Sequence, residues 1–111
     1  MPGGLETTFA ALAEPTRKAV IGLLSQEPRR AGELAERLGQ SPAAMSRHLR
    51  VLRRSGLIAP EGVEEDARVR MYRLQREPFD EMRAWLVEVE AFWGMQLDAF
   101  RQHVAKSKKA R

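Results

Sequence analysis

The sequence predicts a mainly α-helical fold with one small β-hairpin, and three features of the chain predict it. Apolar residues recur at three- and four-residue steps along most of the chain, which is the spacing of amphipathic helices. Two of these helical patterns are separated by a short connection that contains glycine. Residues 57–74 instead hold two strand-like runs around an acidic turn, which is typical of a hairpin.

Two short helices come first. Leu5, Phe9 and Leu12 are spaced like one face of a helix, which we expect to run from Leu5 to Ala13. Glu14-Pro15 ends this helix and starts the next, because proline is favoured in a first turn and interrupts a helix interior. The second helix extends to Gln26, and its apolar face consists of Val20, Ile21, Leu23 and Leu24.

The next two helices lie between Ala31 and Ile58 and are joined by Gly39-Gln40-Ser41. Glycine tolerates the positive φ that a sharp turn after a helix requires, so the chain can fold back there. Ser41 supplies an N-cap hydroxyl and Pro42 a preset first turn for the second helix. We expect one face of this second helix to be buried through Met45, Leu49 and Leu52.

The opposite face of the helix that begins after Gly39-Gln40-Ser41 is basic. It carries Ala43, Arg47, Arg50 and Arg54, and no Asp or Glu occurs from Ser41 to Ile58. Arginine-rich faces can simply be solvated, but surface helices usually mix charge signs for i,i+4 support. Small residues beside arginines let a helix approach a groove while guanidinium groups reach bases or phosphates. The pattern therefore indicates a helix-turn-helix that reads DNA.

Leu57 to Leu74 form the predicted hairpin, with its turn at Glu64-Glu65-Asp66-Ala67 and its returning strand at 68–74. A hairpin beside a helix-turn-helix is a wing, so the expected fold is a winged helix-turn-helix. Arg68 and Arg70 either touch phosphates or are solvated edge charges, and the acidic turn argues against deep insertion into a groove. Tyr72 and Leu74 share a face that could seal the domain, but Arg70 has the same parity.

A long helical pattern follows Pro78 and carries both tryptophans and three of the four phenylalanines. Aromatic residues concentrate in subunit contacts, so we expect a homodimer with this long C-terminal dimerisation helix and the first helix at its interface. An ordinary intrachain core is the alternative. A dimer would present two recognition helices to successive major-groove faces, roughly 34 Å apart. The expected interface residues are Leu5, Phe9, Leu12, Met82, Trp85, Val89, Phe92, Trp93 and Phe100.

The organisation expected from these patterns is one winged helix-turn-helix domain at residues 1–104, including both dimerisation helices, and a basic disordered tail at residues 105–111. The tail has several lysines and no large apolar residue, so ordering it would bury little. It either adds sequence-blind DNA affinity or only solubilises the chain.

Composition limits the classes of partner and compartment. A net charge of +4 and a pI near 10.1 favour a polyanion such as double-stranded DNA. No apolar run approaches the ~20 residues of a membrane span, and Met1-Pro2-Gly3-Gly4 does not resemble a signal peptide, so we expect a cytoplasmic location. The chain has no cysteine, which excludes thiol catalysis and thiolate metal sites.

Two other function classes compete with DNA binding as interpretations of the sequence. An enzyme needs a positioned nucleophile, acid–base pair or metal, and this chain has no cysteine and two histidines far apart in sequence. The alternative function is a winged-helix protein-interaction module without sequence-specific DNA binding. Salt dependence separates the two, since DNA binding weakens steeply with salt and a protein-only module prefers no duplex.

The segments ALAEPTRKAVIGLL (11–24) and GELAERLGQSPAAMSRHLRVLRRSGLI (32–58) resemble the ArsR/SmtB family of bacterial winged-helix repressors. The resemblance covers most of the chain, and AEPTR and SRHLRVLRRSGL are its most specific parts. It implies a homodimer that represses transcription at an operator. The positions where the family's recognition helix meets DNA are Gln40, Ser41, Ala43, Ala44, Ser46, Arg47 and Arg50.

The sequence departs from the best-known members of that family in its sensor positions. The cysteine pair usually found on the first helix of the motif is absent from residues 32–36, and His103 is the one histidine on the final helix. The expectation is therefore a metal-free subgroup, with no cofactor and an unknown effector. His48 lies on the side of its helix away from Arg47, so packing or a local hydrogen bond is favoured over DNA contact.

Overall fold

The computed structural model describes residues 4–62 and 70–109. Glu64-Glu65-Asp66-Ala67, the predicted turn of the wing, and Arg68 lie outside the described residues. The chain divides into two compact units, Met1–Phe79 and Asp80–Arg111. The elements in order are α1 (Leu5–Leu12), α2 (Pro15–Leu24), β1 (Arg29–Arg30), α3 (Ala31–Arg37), α4 (Pro42–Arg54), β2 (Ile58–Glu61), β3 (Met71–Leu74) and α5 (Glu77–Lys109).

The joint between α1 and α2 explains the AEPTR segment. Glu14 is the N-cap of α2, and its carboxylate accepts a hydrogen bond from the backbone N–H of Arg17 at 2.8 Å. The Arg17 Nε in turn donates to the carbonyl of Ala11 at 2.7 Å, near the end of α1. Two residues therefore satisfy backbone groups that both helix ends would leave unpaired.

The first unit contains a three-stranded antiparallel sheet with strand order β1-β3-β2. The predicted hairpin is present as β2 and β3, and Tyr72 pairs with Pro60 on one side and with Arg29 on the other. The sequence did not predict β1. A strand of two arginines has neither the length nor the alternation that sequence reasoning uses to recognise a strand.

The core of the first unit collects the buried faces of its helices and of β3. Tyr72 is 6% exposed, so the predicted sealing face of the returning strand is confirmed at that residue. Phe79 is partly buried and packs against this core. The buried apolar residues are Ala11, Val20, Leu24, Leu34, Ala35, Met45, Leu49, Leu52, Leu57, Ile58 and Tyr72.

The last helix, α5, has 33 residues and runs through Lys109. The sequence predicted a disordered tail from Ala105, whereas 105–109 continue the helix. Alanine and lysine have high helix propensity, and extending an existing helix avoids the unfavourable nucleation step, so these residues need no buried surface to be helical. Within the described residues, no helix has the length and apolarity needed to cross a membrane.

Candidate DNA interface

The turn between α3 and α4 has the geometry that the sequence predicted. Gly39 has a φ of +63°, in the left-handed region that glycine adopts without strain. The N–H of Gln40 donates to the carbonyl of Ala35 at 2.9 Å, which closes the end of α3. A Cβ added at Gly39 would meet no heavy atom within 4 Å, so the backbone angle and not space requires glycine.

The start of α4 is fixed by its N-cap. Ser41 Oγ accepts a hydrogen bond from the N–H of Ala44 at 3.1 Å, and Pro42 occupies the first turn. The Ser41 hydroxyl proton remains available for a phosphate oxygen, because the cap uses only an oxygen lone pair. The helix N-terminus, with its positive dipole end, therefore lies beside a donor suited to an anion.

The two faces of α4 differ as predicted. Met45, Leu49 and Leu52 are at most 3% exposed, so one face is anchored in the core. Ala43, Arg47, Arg50 and Arg54 are all exposed, and we call these four residues the arginine face. A rigid helix with a buried back can present guanidinium groups at fixed positions to a groove.

Ion pairs distinguish the arginines of α4 from Arg37 of α3 in the described part of the chain. No ion pair joins Arg47, Arg50, Arg53 or Arg54 to an acid within residues 4–62 and 70–109. By contrast, Arg37 of α3 lies 3.3 Å from Glu33. The positive charges of the α4 arginines therefore repel one another on one short helix, and an external polyanion would relieve that repulsion.

The remaining predicted contact residues lie at the same end of α4. Ser46 is exposed, whereas Gln40 and Ala44 are half-buried. The backbone N–H of Ala44 is already used by the Ser41 cap. The structure thus brings six of the predicted residues together with Arg50 one to two turns further along, and Arg68 alone lies outside the described residues.

His48 joins α4 to the start of α2. Its Nδ1 lies 3.7 Å from a carboxylate oxygen of Glu14, and its side chain is 19% exposed. This position agrees with the local role favoured from the sequence. The pKa of the Glu14 carboxyl is lowered, and the largest cause is its hydrogen bond from the backbone N–H of Arg17. The positive charge that His48 can carry acts in the same direction.

Arg29 is a structural residue that sequence reasoning missed. It is 4% exposed, and its guanidinium donates to the carbonyl of Leu23 at 3.1 Å, to Gln26 at 2.7 Å and to Glu33 at 2.6 Å. These bonds tie the end of α2 to the first turn of α3, so they support the helix-turn-helix from behind. The pair of arginines at 29–30 was the available signal, but nothing in the sequence indicates which one is buried.

Comparisons with known proteins agree with this geometry. A family model described as a helix-turn-helix domain matches residues 12–61. The HTH-type transcriptional regulator Rv2034 of Mycobacterium tuberculosis is 31% identical over 99 residues, which cover 87% of this chain and 85% of that protein. An ArsR family transcriptional regulator of known crystal structure is 37% identical, with a TM-score of 0.71 over 81% of this chain and 96% of that one. The chain belongs to the ArsR family.

A second solved structure supports the assignment. The ArsR-like transcriptional regulator from Rhodococcus sp. RHA1 is 30% identical, with a TM-score of 0.70 over 88% of this chain and 90% of that one. The protein is therefore a DNA-binding transcriptional regulator with a winged helix-turn-helix, and not an enzyme. This confirms the predicted fold class and the family resemblance.

The second unit of this ArsR-family chain exposes many large apolar side chains. Phe92 is 62% exposed, Trp93 60% and Phe100 64%, whereas Met82 and Val89 are half-buried. ArsR-family regulators dimerise, and an exposed apolar helix is consistent with a dimer interface. We call the residues that share one side of α5 the apolar stripe: Met82, Trp85, Leu86, Val89, Phe92, Trp93, Leu97, Phe100 and Val104.

In the first unit, helix α1 exposes less apolar surface than α5 does. Phe9 is 39% exposed, while Leu5 and Leu12 are half-buried. Leu12 also packs partly against the core of its own chain, so only part of its side chain is available to a partner. The role of these three residues in a dimer stays a prediction.

Proposed function

We propose that this ArsR-family regulator is a homodimeric repressor that binds an inverted-repeat operator through α4. The observation that carries the proposal is the exposed arginine face on a helix whose opposite face is buried. A symmetric dimer presents two such helices, so the DNA it reads most favourably is a repeat with the same symmetry.

The contacts proposed for each half-site divide into two kinds. Ser41 and Ser46 suit phosphate oxygens, because short hydroxyl side chains near a helix N-terminus can donate to them. Arg47 suits a guanine edge, since its guanidinium can donate two hydrogen bonds in the major groove. The full proposed set is Gln40, Ser41, Ala43, Ala44, Ser46, Arg47 and Arg50, with Arg68 on the wing.

The dimer is proposed to form through the apolar stripe of α5 together with α1. The support is the exposure of several large aromatic side chains, which water solvates poorly. A second copy of the chain would bury these residues and also fix the spacing of the two α4 helices.

The proposed regulator needs no metal and no cofactor. The support is its lack of cysteine and the single histidine, His103, on α5. Since Rv2034 and the Rhodococcus relative come from bacteria, whose DNA lies in the cytoplasm, we place the site of action there.

Selection from a random duplex pool at near-physiological salt tests the proposal. We expect enrichment of an inverted repeat whose half-sites are about one helical turn apart. Salt-sensitive bulk binding without any enriched sequence would contradict sequence-specific repression and favour a protein-interaction module. Transcription from a promoter that carries the enriched repeat then shows whether binding represses, and activation would contradict the repressor role.

A further inference from the structure

A cavity lies between the two helices of the helix-turn-helix motif. It has a volume of about 530 Å³ and is bounded by α3, the Gly39 turn, α4 and β3. Its floor is buried and mostly apolar, formed by Ala35, Met45, Leu49 and Tyr72. This volume is in the range of pockets that hold small organic ligands.

The charge of the lining limits what can bind. Among the described residues that line the cavity, none is Arg, Lys or His, and Glu36 supplies a carboxylate. Glu36 forms no ion pair within the part of the chain that the structure describes. An anion would therefore meet a carboxylate without a compensating cation, whereas a neutral or positively charged molecule would not.

A few polar groups could orient a ligand in this apolar space. Tyr72 is 6% exposed, and its hydroxyl forms no hydrogen bond to any described residue. Gln40 and Ser46 add an amide and a second hydroxyl at other points of the lining. An apolar floor with a few hydrogen-bonding groups is the usual composition of a specific small-molecule site.

We propose that this cavity binds a small, mostly apolar organic molecule without negative charge, and that the bound molecule weakens DNA binding. The second part rests on the proposed function of α4. The exposed rim of the cavity includes Ala43 and Ser46, which are also proposed DNA contacts. A ligand seated there would occupy space at the DNA-facing end of α4 and would press on the packing that sets its angle to α3.

The coupling is reciprocal because both ligands use the same helix. If the bound molecule lowers DNA affinity by some factor, bound DNA lowers the affinity for the molecule by the same factor. Through this cavity the regulator would respond to an effector without using a cysteine thiol.

Three naphthalene probes that differ only in their head group test the site: 1-naphthylmethylamine, 1-naphthylmethanol and 1-naphthoate. Each is titrated into the DNA-free full-length protein and followed by ¹⁵N–¹H NMR. We expect saturable shifts at the lining residues for the amine and the alcohol, with Kd at or below roughly 1 mM. No saturable shifts, or equally tight binding of the naphthoate, would overturn the proposal.

Matched substitutions locate the binding. Ala31→Leu adds bulk to the lining and should weaken amine and alcohol binding by about tenfold or more. Ala19→Leu makes the same change at a half-buried position of α2 outside the cavity, and should leave binding unchanged. Tyr72→Phe keeps the packing and should weaken binding by roughly two- to tenfold through the lost hydroxyl. Unchanged affinity in Ala31→Leu would overturn the assignment to this cavity.

The regulatory part is tested with the selected operator. Saturating amine should lower operator affinity of the natural protein and of Ala19→Leu, but not of Ala31→Leu. Unchanged operator affinity with the amine bound would overturn the coupling while the proposed DNA function stands. Failure of the ligand-free protein to prefer any duplex would instead overturn the proposed function and the coupling, while the DNA-free NMR titration judges the cavity by itself.

Discussion

Two exposed helical surfaces of this ArsR-family regulator differ in chemistry and in what lies behind them. The arginine face belongs to α4, a helix of 13 residues whose opposite face is at most 3% exposed at Met45, Leu49 and Leu52. The apolar stripe belongs to α5, where residues such as Phe92 and Trp93 are at least 60% exposed. Helix α4 is anchored in the core of its own chain. Helix α5 instead leaves large apolar side chains exposed.

The difference indicates two kinds of partner. A positively charged face on an anchored helix favours a polyanion over an apolar protein surface as its partner. The buried side of the helix fixes where the guanidinium groups lie, so they can form charge-assisted hydrogen bonds with phosphates. An aromatic stripe gains from removal of water, which a matching apolar surface provides. We therefore propose that the arginine face binds DNA and that the apolar stripe binds a second copy of the chain.

The largest effect is expected from the apolar stripe. Trp85→Ala with Trp93→Ala should weaken the dimer by about 2 kcal/mol or more for each ring, because buried interface tryptophans commonly dominate association. Operator affinity should fall with it, since a monomer presents one α4. Sedimentation equilibrium and operator titration measure the two effects.

A matched pair of substitutions controls that experiment. Val87 and Met95 each follow one of the tryptophans by two residues, about 200° around the helix, and both are more than half exposed. Val87→Ala with Met95→Ala should leave the dimer intact. A dimer that survives loss of both tryptophans would remove the apolar stripe from the interface.

The next largest effect is expected from the arginine face. Arg47→Ala should reduce discrimination between operator and random duplex by about 1–3 kcal/mol per half-site, the usual worth of a bidentate arginine–guanine contact. Arg53→Ala changes an exposed arginine of the same helix outside that face, and should lower affinity for all duplexes alike. Competition titrations with both duplexes separate the two results, and equal discrimination by Arg47→Ala would exclude a reading role for Arg47.

A smaller effect is expected from the turn that orients α4. Gly39→Ala should destabilise the fold by about 1–2 kcal/mol, because a side chain disfavours a φ of +63°. Gly39→Asn should be milder, since asparagine tolerates the left-handed region. Urea unfolding of the dimer at fixed protein concentration measures both. Equal stability of all three proteins would mean that the turn does not depend on a left-handed residue.

The smallest effect is expected from the Glu14 cap. The bound N–H of Arg17 lowers the pKa of Glu14, so its ionised form stabilises the fold above the unfolded pKa of 4.5, and this contribution disappears as the pH falls through the lower folded pKa. Glu14→Gln should therefore lower Tm more at pH 7 than at an acidic pH at which Glu14 is protonated in the folded state as well. Glu81→Gln, at an exposed position of α5, should change Tm little at either pH. A Tm difference for Glu14→Gln that does not depend on pH would contradict the role of its charge.

Local signals explain why much of α4 could be predicted from the sequence. The glycine, the Ser41 cap, Pro42 and the apolar spacing each act within one or two turns, so their consequences are visible in the chain itself. The arginine face follows from the same periodicity. The family resemblance added Gln40 and Ser46 as proposed DNA contacts, which spacing alone does not single out.

Other features depend on contacts between distant residues and could not be predicted in this way. β1 exists because Arg29–Arg30 pair with β3, more than 40 residues away, and the burial of Arg29 depends on partners from α2 and α3. The Arg17 bond to the end of α1 and the cavity beside Tyr72 arise only when helices meet. Helix α5 extends past the predicted end at Val104, because a helix that has already formed can continue through residues that bury no apolar surface.

The most direct test of a dimer that reads DNA with two α4 helices is the spacing of its half-sites. Five base pairs inserted at the centre of the selected operator rotate one half-site by about half a turn, so the two helices can no longer face both grooves. We expect affinity to fall close to that of a single half-site. Unchanged affinity for the lengthened operator would contradict the paired recognition helices and with them the central claim.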